Sequence, residues 1–147
     1  MRQSGADHLL ARELTEKGLR ATRQRVALLR LLRGARNHPT VVELHHLLRA
    51  EQRRVSRKTV YEILDSFITS GLATRPTEGG EPSRYEPKSA PHDHARCRAC
   101  GRLFDLPLAA PRRRLGASVP RGFHVEGVSV LLRGVCRDCR RAMPRDG

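Results

Sequence analysis

The four cysteines of the chain constrain its fold more than any other feature. They form two Cys-x-x-Cys pairs, separated by residues 101–135 and with no cysteine left over: Cys97, Cys100, Cys136 and Cys139. Each pair can form a short turn that directs both sulfurs at one tetrahedral zinc ion. Disulfides and inert buried cysteines are the alternatives, but a paired spacing that includes every cysteine of the chain favours zinc. The spacing therefore predicts that the C-terminal part of the chain folds around one structural metal.

Two histidines stand just ahead of the first cysteine pair, in His92-Asp93-His94. Alternate side chains of an extended segment lie on the same face, so these two rings could bind one metal. Solvated loop histidines beside a zinc turn are the other interpretation. The pattern of these three residues does not by itself separate the two.

The size and charge of the chain limit its organisation and its partners. Its 147 residues suit one large domain or two small ones, and a small domain needs help such as a structural zinc. The net charge of +14 is shared by both halves and predicts a polyanionic partner, although an arginine-rich proteome would produce the same charge. No signal peptide or bilayer-spanning stretch is evident, so we expect a cytoplasmic protein without a membrane partner.

The N-terminal half contains four segments with helical periodicity. The first runs from Asp7 to Lys17, and Thr22, Thr40 and Ser56 are expected to cap the next three. A short turn separates the third helix from the fourth, which is typical of a helix-turn-helix. Segments 72–75 and 83–87, on either side of a turn at Gly79-Gly80, predict a β-hairpin and hence a winged helix.

The exposed side of the fourth helix is the candidate nucleic-acid surface. Its first turns would face base edges and phosphates in the major groove, and the basic end of the second helix could reach a phosphate. The candidate DNA-binding residues are Arg20, Ser56, Arg57, Lys58, Thr59 and Tyr61. A small helical interaction domain that binds no nucleic acid is the alternative.

The sequence after Ala90-Pro91 predicts a second, smaller domain. Residues 92–98 and 102–106 have the pattern of short strands, a basic helix includes Arg112 to Leu115, and residues 122–134 alternate like one long strand. The tail from Arg140 is expected to fray. The predicted class is α+β: a winged-helix domain, then a small α/β domain with a four-cysteine zinc site.

Eight motifs occur in a specific order along the chain. They are Gly18-Leu19-Arg20-x-Thr22-Arg23-Gln24-Arg25, His38-Pro39-Thr40, Ser56-Arg57-Lys58-Thr59-Val60-Tyr61, Arg84-Tyr85-Glu86, His92-Asp93-His94, the first cysteine pair, Gly122-Phe123, and the second cysteine pair. In this order they resemble the ferric uptake regulator family of bacterial metal-responsive repressors. The resemblance implies a winged-helix domain over residues 1–87, a hinge at 88–91, and a dimerisation and metal-binding domain over 92–147. It also implies a homodimer that binds a palindromic operator in double-stranded DNA.

The same resemblance implies a regulatory metal site at the hinge. Its ligands would be His38, Glu86, His92, His94 and Asp105. Such nitrogen and oxygen ligands suit Fe²⁺ or Mn²⁺, and Zn²⁺ or Ni²⁺ would also fit. The implied function is metal-dependent repression of iron-homeostasis or peroxide-stress genes. The alternative within the family is a zinc- or nickel-responsive repressor.

Some positions differ from the family pattern. Glu62 stands where arginine is common, and Pro91 and Val128 stand where some members carry further histidine ligands. Asp105 is similar to the peroxide-sensing branch, whereas Glu86 is similar to the iron-uptake branch.

Two functions of other classes are also compatible with these residues. One is a zinc-dependent hydrolase that uses the hinge metal to activate water, with Glu86 as the base. The other is a zinc-stabilised module whose basic surface binds RNA or an acidic protein. Since no separate nucleophile and base are evident, we expect no enzyme. Metal-dependent binding to a palindromic duplex would distinguish the repressor from both.

Overall fold

The computed structural model describes residues 5–52, 54–76, 82–108 and 119–143. The chain divides into two compact units, Met1–Ser89 and Ala90–Gly147. Within these described ranges, the first unit has four helices and a two-stranded sheet, and the second has a three-stranded sheet and a short helix. The predicted α+β class is confirmed.

The four helices of the first unit are α1 (Gly5–Glu16), α2 (Arg23–Gly34), α3 (Val41–Glu51) and α4 (Arg57–Thr69). All three predicted caps are present, and each cap side chain accepts a hydrogen bond from a backbone N–H in the first turn. Such bonds satisfy N–H groups that have no partner within the helix.

The cap of α3 is a reciprocal capping box. The hydroxyl of Thr40 accepts from the Glu43 N–H at 3.2 Å, and Glu43 Oε2 accepts from the Thr40 N–H at 2.7 Å. This arrangement fixes the start of α3 directly after the loop that carries His38.

The four helices enclose the core of the first unit. Its fully buried side chains are mostly leucines at helical spacing, together with Phe67 and Tyr85. Full burial stabilises such a side chain by about 1.5–3 kcal/mol. The core therefore gives α4 a rigid base and leaves its opposite side exposed.

A short hairpin follows α4, as the sequence predicts. Gly71 (φ 74°) ends the helix in the left-handed region, and β1 (Ala73–Thr74) then pairs antiparallel with β2 (Glu86–Pro87). The strands are shorter than the predicted segments 72–75 and 83–87. The predicted turn at Gly79-Gly80 lies outside the described residues.

The second unit is built on one mixed sheet. Strand β3 (Asp93–Cys97) lies between β4 (Leu103–Leu106), which is antiparallel to it, and β5 (Leu131–Gly134), which is parallel. Helix α5 (Arg137–Ala142) follows β5. Among residues 90–108 and 119–143, the buried hydrophobic side chains are only Cys97 and Leu103. So thin a core is typical of small domains that a metal stabilises.

The prediction of one long strand over residues 122–134 is wrong in its extent. Only residues 131–134 are strand, because β3 offers ladder partners from His94↔Leu131 to Cys97↔Gly134. Alternating hydrophobicity does not form a strand without a neighbour to pair with. The prediction of a frayed tail is wrong for Arg140 and Arg141, which belong to α5, and residues 144–147 lie outside the described residues. The predicted helix around Arg112 to Leu115 lies outside the described residues.

Candidate metal centres and nucleic-acid surface

The two cysteine pairs meet in the second unit. Cys97 ends β3 and Cys100 follows in the turn to β4, while Cys136 and Cys139 lie at the N-terminal end of α5. All four are free thiols, and their sulfur atoms lie within 4.8 Å of one another. The Cys100 and Cys136 sulfurs are 3.9 Å apart, and sulfurs about 2.3 Å from a tetrahedral zinc would be about 3.8 Å apart. The four thiols therefore fit a closed Zn²⁺ site.

The electrostatics of this cluster favour a bound cation. The Cys136 N–H donates to Cys97 Sγ at 3.3 Å, and this bond, with further backbone N–H bonds from Cys100 and Ala99, lowers the pKa of Cys97 to about 6. Hydrogen bonds with the Cys136 sulfur and then the Cys100 sulfur, together with burial, raise the pKa of Cys139 to about 12. Four neighbouring thiols cannot all ionise without a compensating charge, which a divalent metal supplies.

Arg102 contacts the cluster although the sequence did not single it out. Its guanidinium donates to Cys100 Sγ at 3.4 Å and to Cys136 Sγ at 3.5 Å, and it donates to the Asp138 carboxylate at 2.6 Å. These contacts lower the pKa of Cys100 and raise that of Arg102. One side chain thus links the two cysteine turns. The sequence signal that could have indicated this role is a basic residue two positions after a Cys-x-x-Cys pair.

Two of the predicted regulatory ligands lie together in the first unit. His38 Nε2 and Glu86 Oε2 are 2.8 Å apart, and both side chains are nearly buried. The second Glu86 oxygen accepts from the Thr74 hydroxyl at 3.0 Å, which orients the carboxylate. His38 has φ 45°, in the left-handed region that a residue with a side chain seldom adopts.

The other three predicted ligands lie together in the second unit. His94 on β3 stands opposite Asp105 on β4 in the sheet register. The centroids of the His92 and His94 rings are 4.5 Å apart, and Asp105 Oδ1 lies 3.4 Å from His92 Nε2 and 3.7 Å from His94 Nε2. Imidazole nitrogens beside carboxylate oxygens form a donor set that suits Fe²⁺, Mn²⁺ or Zn²⁺.

The candidate DNA-binding residues of α4 divide into two kinds. Ser56 and Thr59 form the helix cap, since Ser56 Oγ accepts from the Thr59 N–H at 3.0 Å. Arg57, Lys58 and Tyr61 are exposed and free of the core. The candidate Arg20, just ahead of α2, is exposed too.

The exposed face of α4 also carries two acids. Glu62 Oε1 lies 3.8 Å from Lys58 Nζ, one helical turn away, and Asp65 is exposed further along. This ion pair places a carboxylate beside a candidate phosphate contact. No helix in the described part of the chain is both long and apolar enough to span a bilayer.

A winged-helix unit with an exposed basic helix end, joined to a unit with metal-ligand clusters, defines the class of metal-binding transcription regulators. Residues 16–132 match the ferric uptake regulator family, and the chain belongs to it.

The relatives of the chain agree with this assignment. It is 35% identical to the peroxide operon regulator of Bacillus subtilis over 87% of this chain and 89% of that protein. It is 33% identical to the transcriptional regulator FurA of Mycobacterium tuberculosis over 88% of each chain. The solved ferric uptake regulator of Pseudomonas aeruginosa with manganese superposes with a TM-score of 0.69 at 27% identity, covering 88% of this chain and 98% of that one. The protein is a metal-responsive transcriptional repressor that binds DNA and acts as a dimer, and it is not an enzyme.

Proposed function

We propose that this repressor senses Fe²⁺ or Mn²⁺, and peroxide through Fe²⁺, at one site made of His38, Glu86, His92, His94 and Asp105. The observation that carries the proposal is the donor chemistry of the two ligand groups. Each unit contributes imidazole nitrogen and carboxylate oxygen that lie within a short distance of each other. A cysteine-bound Zn²⁺ serves as a separate, structural metal.

The division of the ligands between units supports regulation by the metal. His38 and Glu86 belong to the first unit, and the other three belong to the second. A metal that needs both groups binds only one relative orientation of the units, and therefore favours it. Moving a population from roughly 1:99 to 99:1 requires about 5.5 kcal/mol of preferential binding. In a dimer, the favoured orientation sets the spacing of two α4 helices on a palindromic duplex.

Peroxide sensitivity follows from the nature of the ligand rings. Bound Fe²⁺ would supply the single electron that opens the peroxide O–O bond. Overall the ring is oxidised by two electrons, one peroxide oxygen takes the place of a ring C–H hydrogen, and the other oxygen leaves as water. His38 Nε2 lies beside the Glu86 carboxylate and His92 Nε2 beside the Asp105 carboxylate, so both rings would be next to a bound metal. An oxidised ring is a poorer ligand, so the preference for the DNA-binding form is lost.

The test compares iron-loaded with manganese-loaded protein. A duplex is first selected from random sequences with the Mn²⁺ form and checked for two-fold symmetry. Peroxide is then added to each form, and DNA binding and peptide masses are followed. We expect the iron form to release DNA and gain one oxygen on His38 or His92, while the manganese form does neither. The exposed His46 serves as the internal control.

Other results would change the assignment. Iron-loaded protein that keeps both its DNA affinity and its unmodified histidines would leave a repressor that senses metal availability alone. DNA binding that requires Zn²⁺ or Ni²⁺, and fails with Fe²⁺ and Mn²⁺, would instead establish a zinc- or nickel-responsive repressor.

A further inference from the structure

The loop before α3 carries His38 in an unusual backbone conformation. His38 has φ 45° and is followed by Pro39, which disfavours the α region and pushes a preceding residue toward extended conformations. A free peptide of this sequence would therefore rarely hold His38 as the structure does. Contacts from elsewhere in the unit must keep it there.

The buried side chain of Arg84 supplies such contacts. Its Nη1 donates to the His38 carbonyl at 2.9 Å and to the Asn37 carbonyl at 3.3 Å. Only 9% of Arg84 is exposed, which is rare for a charged residue and requires compensating partners. The guanidinium thus donates to the two carbonyl oxygens that flank the backbone nitrogen and α-carbon of His38.

Three further contacts hold Arg84 and the loop together. Glu43 Oε2, the oxygen that completes the capping box of α3, lies 3.7 Å from Arg84 Nη1. The backbone of Arg84 bridges to Thr40, and the Tyr85 N–H donates to the Pro39 carbonyl at 3.0 Å. The loop is therefore attached to the strand that carries Glu86.

We propose that Arg84 is a positioning residue for metal sensing, because it sets the His38 ring against Glu86 before any metal binds. Arg84 and Glu86 are two residues apart on an extended segment, so their side chains lie on the same side. The Arg84 guanidinium and the Glu86 carboxylate therefore contact the His38 loop together. Loss of Arg84 lets His38 return to an extended conformation and withdraws its ring from Glu86. The apparent metal affinity then falls in proportion to the fraction of molecules that keep the ligand in place.

This inference rests on the proposed regulatory site, and the experiment separates the two. The Mn²⁺ dissociation constant is measured for the full, zinc-loaded protein and for Arg84→Gln, Arg84→Lys and Glu43→Gln. Lysine keeps the charge but not the planar fork that reaches two carbonyls. Glutamine at 43 keeps the capping box but removes the charge beside Arg84. Arg75→Ala is the matched control, since its exposed guanidinium lies 5.9 Å from the Tyr85 ring centre in the same hairpin.

We expect Arg84→Gln to weaken Mn²⁺ binding by about 10- to 100-fold, the usual effect of losing a group that orients a metal ligand. Arg84→Lys and Glu43→Gln should weaken it less, and Arg75→Ala should not change it. In the metal-free protein, amide NMR shifts of Arg84→Gln should change most at residues 37–40. If the role of Arg84 were purely structural, its loss would lower the melting temperature. The Mn²⁺ affinity measured at temperatures well below melting would then be unchanged.

Folded Arg84 variants with wild-type Mn²⁺ affinity would overturn the positioning role. If both Arg84 variants fail to fold, the Glu43→Gln variant provides the test. Wild-type Mn²⁺ affinity in Glu43→Gln would then overturn the positioning role. Mn²⁺ affinity that survives His38→Ala would overturn the proposed site itself, whatever the Arg84 variants show.

Discussion

The four cysteines all belong to the second unit, whereas the predicted regulatory ligands are divided between the two units. A metal held by donors from a single unit can stabilise only that unit. A metal that requires donors from two units responds to their arrangement and can change it. The sulfur cluster also has four donors for a metal that prefers four, so it is closed. On these grounds we propose a structural metal for the sulfur cluster and a regulatory metal for the divided ligands.

The largest effect should come from removing one sulfur. Cys136→Ser is expected to lose zinc and the cooperative unfolding transition of the second unit, because structural zinc contributes roughly 10 kcal/mol or more in small zinc domains. Zinc content and circular dichroism on heating measure both. Arg137→Ser, at an exposed neighbour on α5, is the control. Full zinc occupancy with unchanged melting would contradict a structural metal.

The next effect should be confined to the regulatory site. His38→Ala and His92→Ala, one in each unit, should each weaken Mn²⁺ binding by more than about 100-fold, since losing a ligand costs more than losing a group that orients one. Zinc content should stay at the wild-type value. Electron paramagnetic resonance of free Mn²⁺ provides the affinity, and the exposed His46→Ala is the control. If only one of the two variants loses affinity, the metal does not require both units.

A smaller effect should distinguish Arg102 from the cysteines that it contacts. Arg102→Gln removes the cation that donates to two cluster sulfurs, so we expect zinc loss to a chelator to be about tenfold faster. Absorbance of a zinc-binding dye follows the release. The control is Arg98→Gln, an exposed arginine between the first two cysteines. Equal rates in both variants would mean that Arg102 acts only through overall charge.

The smallest effects should concern DNA and leave both metals bound. Lys58→Ala should lower the salt dependence of DNA binding by about one phosphate contact, which reduces the slope by about 1. Glu62→Gln should strengthen binding slightly, because an exposed ion pair is worth only about 0–1 kcal/mol. Fluorescence anisotropy across salt concentrations measures both. A change in Mn²⁺ affinity in either variant would contradict this prediction, because it would show that the α4 surface affects metal binding.

Local sequence was sufficient wherever neighbouring residues decide the structure. The caps at Thr22, Thr40 and Ser56 stand where predicted, because each side chain bonds to a backbone N–H three residues later. The cysteine cluster was predictable for a similar reason. A Cys-x-x-Cys turn directs its own two sulfurs, and the chain has only two such pairs to combine.

Tertiary structure decided the contacts between residues far apart in sequence. The register that sets His94 opposite Asp105, and the bond from Thr74 to Glu86, depend on how strands pair. No local pattern indicates that Arg84 donates to the His38 carbonyl, because residues so far apart meet only when β2 packs beside the loop. The overlong strand prediction has the same cause. Alternation describes one strand alone, whereas a ladder exists only where a second strand is present to accept and donate its hydrogen bonds.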